Sequence, residues 1–146
     1  MAKIVVGVDG SDASKDALRW AVEEAGLRRA EVVAVHAWEA PPPVAELGPA
    51  PAFDFVALAP QLQESAESLV RSVVAEVVGD NSDVKVEAVA PEGPVATVLI
   101  DAAADADLLV VGSRGRGGFV ALVLGSVSQQ VATHAPCPVL IHRRRQ

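Results

Sequence analysis

Lys3 to Asp9 is a short run built on Ile4, Val5, Val6 and Val8, without polar alternation. A strand covered on both faces, as in a parallel sheet, has this signature. Gly10-Ser11 breaks the run, and the apolar spacing then becomes helical. Ala17, Leu18, Ala21, Val22 and Ala25 make one stripe, the face a surface helix buries. Ser11 or Asp12 is suited to cap its start. Val32-Val33-Ala34-Val35-His36-Ala37-Trp38 reads as a second buried strand. Glu39 to about Ala59 contains Pro41, Pro42, Pro43, Gly48, Pro49 and Pro51. It reads as an irregular, exposed excursion with a helical turn near Phe53–Leu58. Pro60 suits the first turn of a helix. Leu62, Ala66, Leu69, Val70, Val73, Val74 and Val77 form its stripe, and Gly79 is placed to end it.

Val84 to Ala90 alternates with Lys85 and Glu87, the pattern of a strand nearer an edge. Gly93-Pro94 opens a third helix, with Val95, Val98, Leu99, Ala102 and Ala103 expected inward. Leu108 to Val111 is another apolar strand and ends at Gly112. A glycine-rich loop follows, then a short helix from Ser126 to about His134, stopped by Pro136. Pro138 to His142 is a final strand. The order is β-α-β-α-β-α-β-α-β. Helix-length connections between strands require a parallel sheet with helices on both faces. The fold class is α/β, in one domain over residues 1–146.

Composition narrows the class. The chain of 146 residues is 51% hydrophobic and 21% charged, a globular balance. Its one cysteine, Cys137, cannot form a disulfide framework or a cysteine zinc cage, which fits a reducing compartment. The first apolar run stops at Asp9, too soon for the hydrophobic region of a signal peptide. The longest uncharged run, Gly117 to Thr133, is interrupted by Gly125, Ser126, Ser128, Gln129 and Gln130 and falls short of a membrane span. A cytoplasmic location and no membrane role are therefore expected. The net charge of −7 argues against a nucleic-acid partner. All 19 acids lie at or before Asp107, whereas residues 108–146 carry five arginines and no acid. Three of these, Arg143, Arg144 and Arg145, read as a solvated tail. Arg114 and Arg116 lie inside the glycine-rich loop.

In open parallel sheets ligands bind outside the C-terminal ends of the strands, where the strand order reverses. The fourth strand carries the strongest signal there. Gly112, Gly115 and Gly125-Ser126 make a G-x2-G-x9-G-S spacing between a buried strand and a helix. Glycines permit positive φ and close backbone approach to a ligand. The free N–H groups and dipole of a helix start favour an anion. Hydroxyls of Ser126 and Ser128, with Arg114 and Arg116, add donors and positive charge. The set suits a polyphosphate. The P-loop pattern, the G-x-G-x-x-G dinucleotide pattern and the G-x-S-x-G nucleophile elbow are all absent.

These residues carry a family resemblance across the whole chain. Val6-Gly7-Val8-Asp9-Gly10-Ser11, His36-Ala37, Ala106-Asp107-Leu108-Leu109-Val110-Val111-Gly112-Ser113-Arg114-Gly115, Leu124-Gly125-Ser126-Val127-Ser128 and Ala135-Pro136-Cys137-Pro138-Val139-Leu140-Ile141 resemble the universal stress proteins, in particular their ATP-binding subgroup. The resemblance implies a Rossmann-like five-stranded parallel sheet of order 3-2-1-4-5, and a homodimer through the last strand, Pro138–Ile141. It implies an ATP site beside the first and fourth strands, with Gly7 and Val8 among its nucleotide-binding residues. Asp9 would contact the ribose or a phosphate-bound cation such as Mg. The Ala37 backbone would recognise adenine with Val111 beside it, and Gly112 would lie near the ribose. Gly115, Gly125, Ser126, Val127 and Ser128 would hold phosphates. Arg114 and Arg116 fall where the family varies.

Plainer readings stand beside these. Asp9 also suits a turn and cap ahead of the first helix. His36 reads as a satisfied structural histidine rather than a catalytic base. His134, Cys137 and His142 are too few and too irregular for zinc. Trp20 and Trp38 read as core or crevice-wall residues. No residue set supplies a nucleophile with its base, so the expectation is a regulatory binder of ATP with little or no hydrolysis. The alternatives are a binder of cyclic AMP or AMP, and a slow ATPase or adenylating enzyme on the same fold.

Overall fold

The computed structural model describes residues 2–41, 55–80, 82–113 and 124–144. Nine elements follow one another along these residues: β1 (Ala2–Gly7), α1 (Asp12–Arg28), β2 (Ala30–Val35), α2 (Phe55–Val78), β3 (Val86–Val89), α3 (Val95–Ala102), β4 (Leu108–Gly112), α4 (Ser126–His134) and β5 (Val139–His142). The strands form one sheet of order β3-β2-β1-β4-β5, and every pairing is parallel. The order reverses between β1 and β4, so β1 lies at the centre and its end opens the switch point.

Side-chain alternation divides the core into two layers. Ile4, Val6, Val8, Val32, Ala34, Leu108 and Val110 face α1 and α2, meeting Ala17, Leu18, Ala21, Val70 and Val73. Val5, Val33, Val35, Leu109 and Val111 face α3 and α4, meeting Val98, Leu99 and Val131. Both faces of the central strands are thus covered, which is why β1 and β4 lack polar alternation. At the sheet's margins, β3 and β5 have no fully buried residue.

Local chemistry accounts for the ends. Ser11 caps α1, its Oγ accepting from the Ser14 N–H at 3.2 Å. Gly79, at φ +64, ends α2 and donates its N–H to the Ala75 carbonyl. Four expectations change. β2 stops at Val35 rather than running to Trp38, although Trp38 still makes an isolated parallel bridge to Glu92. α2 starts at Phe55 and contains Pro60. Pro60 is exposed, so its ring projects to solvent, and the helix forgoes one amide bond there. Val95 is 42% exposed, and Ala96 takes the inward place in α3. Val95 is the first residue of α3, and the layer on the sheet is formed by Ala96, Val98, Leu99 and Ala103. Finally, the arginine tail is not wholly free: Arg144 donates to Asp16 on α1 at 2.7 Å. Most of the Pro-rich excursion lies outside the described residues.

Candidate functional site

The space above the end of β1 is built by three strand ends. β1 leaves the sheet after Val8, whose N–H donates to the Val35 carbonyl at 2.8 Å. Asp9 and Gly10 then turn the chain into α1, with Gly10 at φ +84. Among the described residues this is the positive-φ glycine of the site. The glycine spacing predicts that need at Gly112, Gly115 and Gly125, and Gly115 lies outside the described residues. Gly125 has φ −63, and Gly112 is an ordinary strand residue paired with His142. Any residue can adopt those angles. The value of these two glycines is the missing side chain, not φ.

Asp9 and Ser11 form a closed turn. Asp9 Oδ1 accepts from the Ser11 N–H at 2.9 Å and from the Ser11 hydroxyl. The Asp9 N–H reaches Ser14 Oγ at 3.3 Å, and Ser14 Oγ donates to the Ser11 carbonyl. Asp9 is therefore a turn and capping residue. Its second oxygen has no partner among the described residues and is the atom available to a ligand.

On one flank lies Ala37. In a parallel strand, the N–H and C=O of one residue point to the same neighbour, and successive residues alternate. His36 donates to the Val89 carbonyl, Trp38 donates to the Pro91 carbonyl, and Trp38 accepts from Gly93. These two face β3. The Ala37 backbone thus faces β1, at the level where β1 has already turned away. Neither its N–H nor its carbonyl has a partner among the described residues. Trp38 fixes this segment further, its indole Nε1–H donating to the Ala90 carbonyl at 2.9 Å. It is a wall residue that ties the loops after β2 and β3 together.

On the other flank, β4 ends at Gly112. Ser113 donates its N–H to the His142 carbonyl, and the Ser113 carbonyl accepts from the Gly125 N–H at 2.9 Å. This holds the start of α4 against the end of β4. Among the described residues no side chain caps α4, and the amides of its first turn are those that would meet an anion. The buried Ser128 hydroxyl donates to the Gly112 carbonyl at 2.7 Å. Its single proton is directed at that carbonyl here, not at a phosphate, so in this arrangement Ser128 positions α4 and its backbone N–H faces the open turn. Ser126 and Val127 lie in the open turn as expected.

Gly7 and Val111 hold the floor. A Cβ at Gly7 would stand 3.0 Å from Leu99 Cδ1 and 3.4 Å from Val111 Cγ1. Gly7 is a packing glycine that lets α3 sit down on β1. Val111 is buried in the same layer. Val8 offers its carbonyl to His36 Nδ1 at 2.8 Å, so His36 is satisfied as a structural histidine. Arg114, Gly115 and Arg116 lie outside the described residues. Among the described residues no cluster of His, Cys, Asp or Glu could hold a metal ion, and no helix is long and apolar enough to cross a membrane.

The profile of the universal stress protein family matches residues 1–143. A universal stress protein of Mycobacterium tuberculosis is 39% identical over 143 residues, covering 98% of this chain and 46% of its own length. The chain thus spans about half the length of the curated relatives it matches. A universal stress protein of Lactobacillus plantarum has a similar structure, with TM-score 0.78, 25% identity and 97% of each chain covered. One from Archaeoglobus fulgidus, solved in complex with dAMP, has TM-score 0.59, 26% identity and 97% of each chain covered.

Proposed function

The chain belongs to the universal stress protein family, and we propose that it is a regulatory binder of an adenine nucleotide, foremost ATP, at the end of β1. The observation that carries this reading is the Ala37 backbone. Its N–H and C=O have no partner among the described residues and face the side that β1 has left, and the Watson–Crick edge of adenine offers the matching acceptor and donor. Across the gap, the uncapped start of α4 and the Gly112–Ser113 turn suit the phosphates. The similar protein from Archaeoglobus fulgidus was solved with dAMP, which supports the base class. A cradle of several amides favours a chain of phosphates over cyclic AMP or AMP. The free oxygen of Asp9 is available to a phosphate-bound Mg.

Hydrolysis is slow or absent in this reading, because Asp9 Oδ1 is committed to Ser11 and no nucleophile with its base faces the gap among the described residues. The protein acts as a homodimer through β5, an apolar edge strand of half-buried residues that an unpaired sheet leaves open to association.

Calorimetric titration of the nucleotide-free chain with Mg-ATP, AMP and cyclic AMP tests the site, beside a Gly125→Val variant. Gly125 starts α4 at φ −63, so valine is tolerated by the backbone but intrudes on the phosphate path. Wild type should prefer ATP, and the folded variant should lose that preference. Equal affinity of both proteins for all three nucleotides contradicts the cradle. Turnover of ATP at about tens per second, a typical enzymatic rate, contradicts the regulatory reading.

A further inference from the structure

We infer that His36 is a positioning residue for base recognition: its imidazole occupies the Val8 carbonyl and thereby leaves the Ala37 edge open. The inference rests on the adenine-nucleotide reading of this site and extends it to a residue that does not itself touch the ligand.

The register supplies the argument. β1 and β2 pair with Gly7 opposite Val35, and the Val8 N–H donates to the Val35 carbonyl. In an uninterrupted parallel ladder, the next bond along is from the Ala37 N–H to the Val8 carbonyl. That bond is absent. The Val8 carbonyl instead meets His36 Nδ1 at 2.8 Å. A carbonyl only accepts, so Nδ1 carries the proton and the ring donates. Val8 is 4% exposed, and a buried carbonyl left without a donor is costly. The imidazole removes that cost without using the ladder amide. Among the described residues the strand therefore ends with its donor and acceptor unpaired at Ala37, while His36 and Trp38 on either side stay bonded to the β3 loop. A side chain without an N–H at position 36 would return the Val8 carbonyl to the Ala37 amide and close the edge.

Amide hydrogen exchange of the full-length, nucleotide-free protein reads this directly. In wild type the Ala37 amide should exchange at least about tenfold faster than those of His36 and Trp38, the difference that one net hydrogen bond makes. In His36→Phe it should slow to match them. ATP affinity should fall about tenfold or more in that variant, while affinity for inorganic tripolyphosphate changes less than about twofold, because the phosphate cradle is untouched. His36→Asn, which restores a short side-chain N–H, should recover fast exchange and ATP affinity. Slow exchange at Ala37 in wild type, or exchange unchanged in His36→Phe, overturns the inference. So does an equal loss of ATP and tripolyphosphate binding. If His36→Phe does not fold, the wild-type exchange pattern and the asparagine variant still decide. If wild type binds neither ATP nor tripolyphosphate, the nucleotide reading fails and the base-reading role falls with it. A failure confined to the exchange pattern overturns the role of His36 alone.

Discussion

At the scale of single residues, the site is made mostly by groups whose task is to free or hold a neighbour. Gly7 was expected to lie beside a ligand, and its structural role is to admit Leu99. Gly7→Val should destabilise the protein by about 1–3 kcal/mol through overpacking, read as a lower urea midpoint. Ser128→Ala leaves the partly buried Gly112 carbonyl without its donor. A loss of about 1–3 kcal/mol is expected, with weaker ATP binding because α4 keeps only the Gly125–Ser113 bond to the end of β4. An unchanged urea midpoint for Ser128→Ala would contradict that tie. The candidate residues were legible because strand ends and glycine spacings are written in the chain. Their individual tasks were not. Whether a serine hydroxyl donates to a ligand or to Gly112 depends on a contact between residues sixteen apart, which no local pattern encodes.

At the scale of elements, all nine were legible, eight of them from runs and stripes of apolar residues and α4 from the glycine-rich loop before it and Pro136 after it. The margins were less so. The β2 reading ran to Trp38 because Ala37 and Trp38 continue the apolar run. The ladder to β1 ends earlier, since β1 turns away at Gly10. Pro60 suggested a helix start, but the helix absorbs it on an exposed face. Val95 looked inward by composition, yet its neighbour Ala96 takes the buried place. Gly79 offers a clean check of one boundary. It sits at φ +64, and a Cβ there would meet nothing within 4 Å, so only backbone strain opposes a side chain. Gly79→Ala should cost about 1 kcal/mol, whereas an unchanged thermal midpoint would mean that α2 ends by other means.

At the scale of the molecule, charge and edges set the behaviour. The Lys3 ammonium, bonded to Asp105, holds that carboxyl below its usual 3.8. Its contribution to stability is present above that unfolded-state value and is lost as pH falls through the lower folded value. Burial, and then the charge of Asp107, push the Cys137 thiol above 9.0. That contribution is full below 9.0 and is lost as pH rises through the folded value. Lys3→Met should flatten the acid limb of a urea-midpoint profile and leave the alkaline limb alone, with a small amplitude because the Asp105 side is exposed. The β5 edge gives a sharper prediction. The carbonyls of Pro138 and His142 bond to β4, so the backbone of Val139 and Ile141 faces outward. Ile141→Pro removes an outward N–H while sparing the β4 ladder; under the proposed dimer, sedimentation should show the wild type as a dimer and this variant as a monomer. A dimeric variant would place the interface elsewhere. The central claim is that a nucleotide docks in the gap above β1, between Ala37 and the start of α4. The most direct measurement is an amide NMR titration of the nitrogen-15-labelled chain with Mg-ATP. The account predicts saturable shifts centred on Ala37, Ser113 and Ser126–Ser128 at about micromolar ATP, the ordinary range for a specific small-molecule site. No shifts at about millimolar ATP, the limit of weak binding, or shifts centred away from these residues, would contradict it.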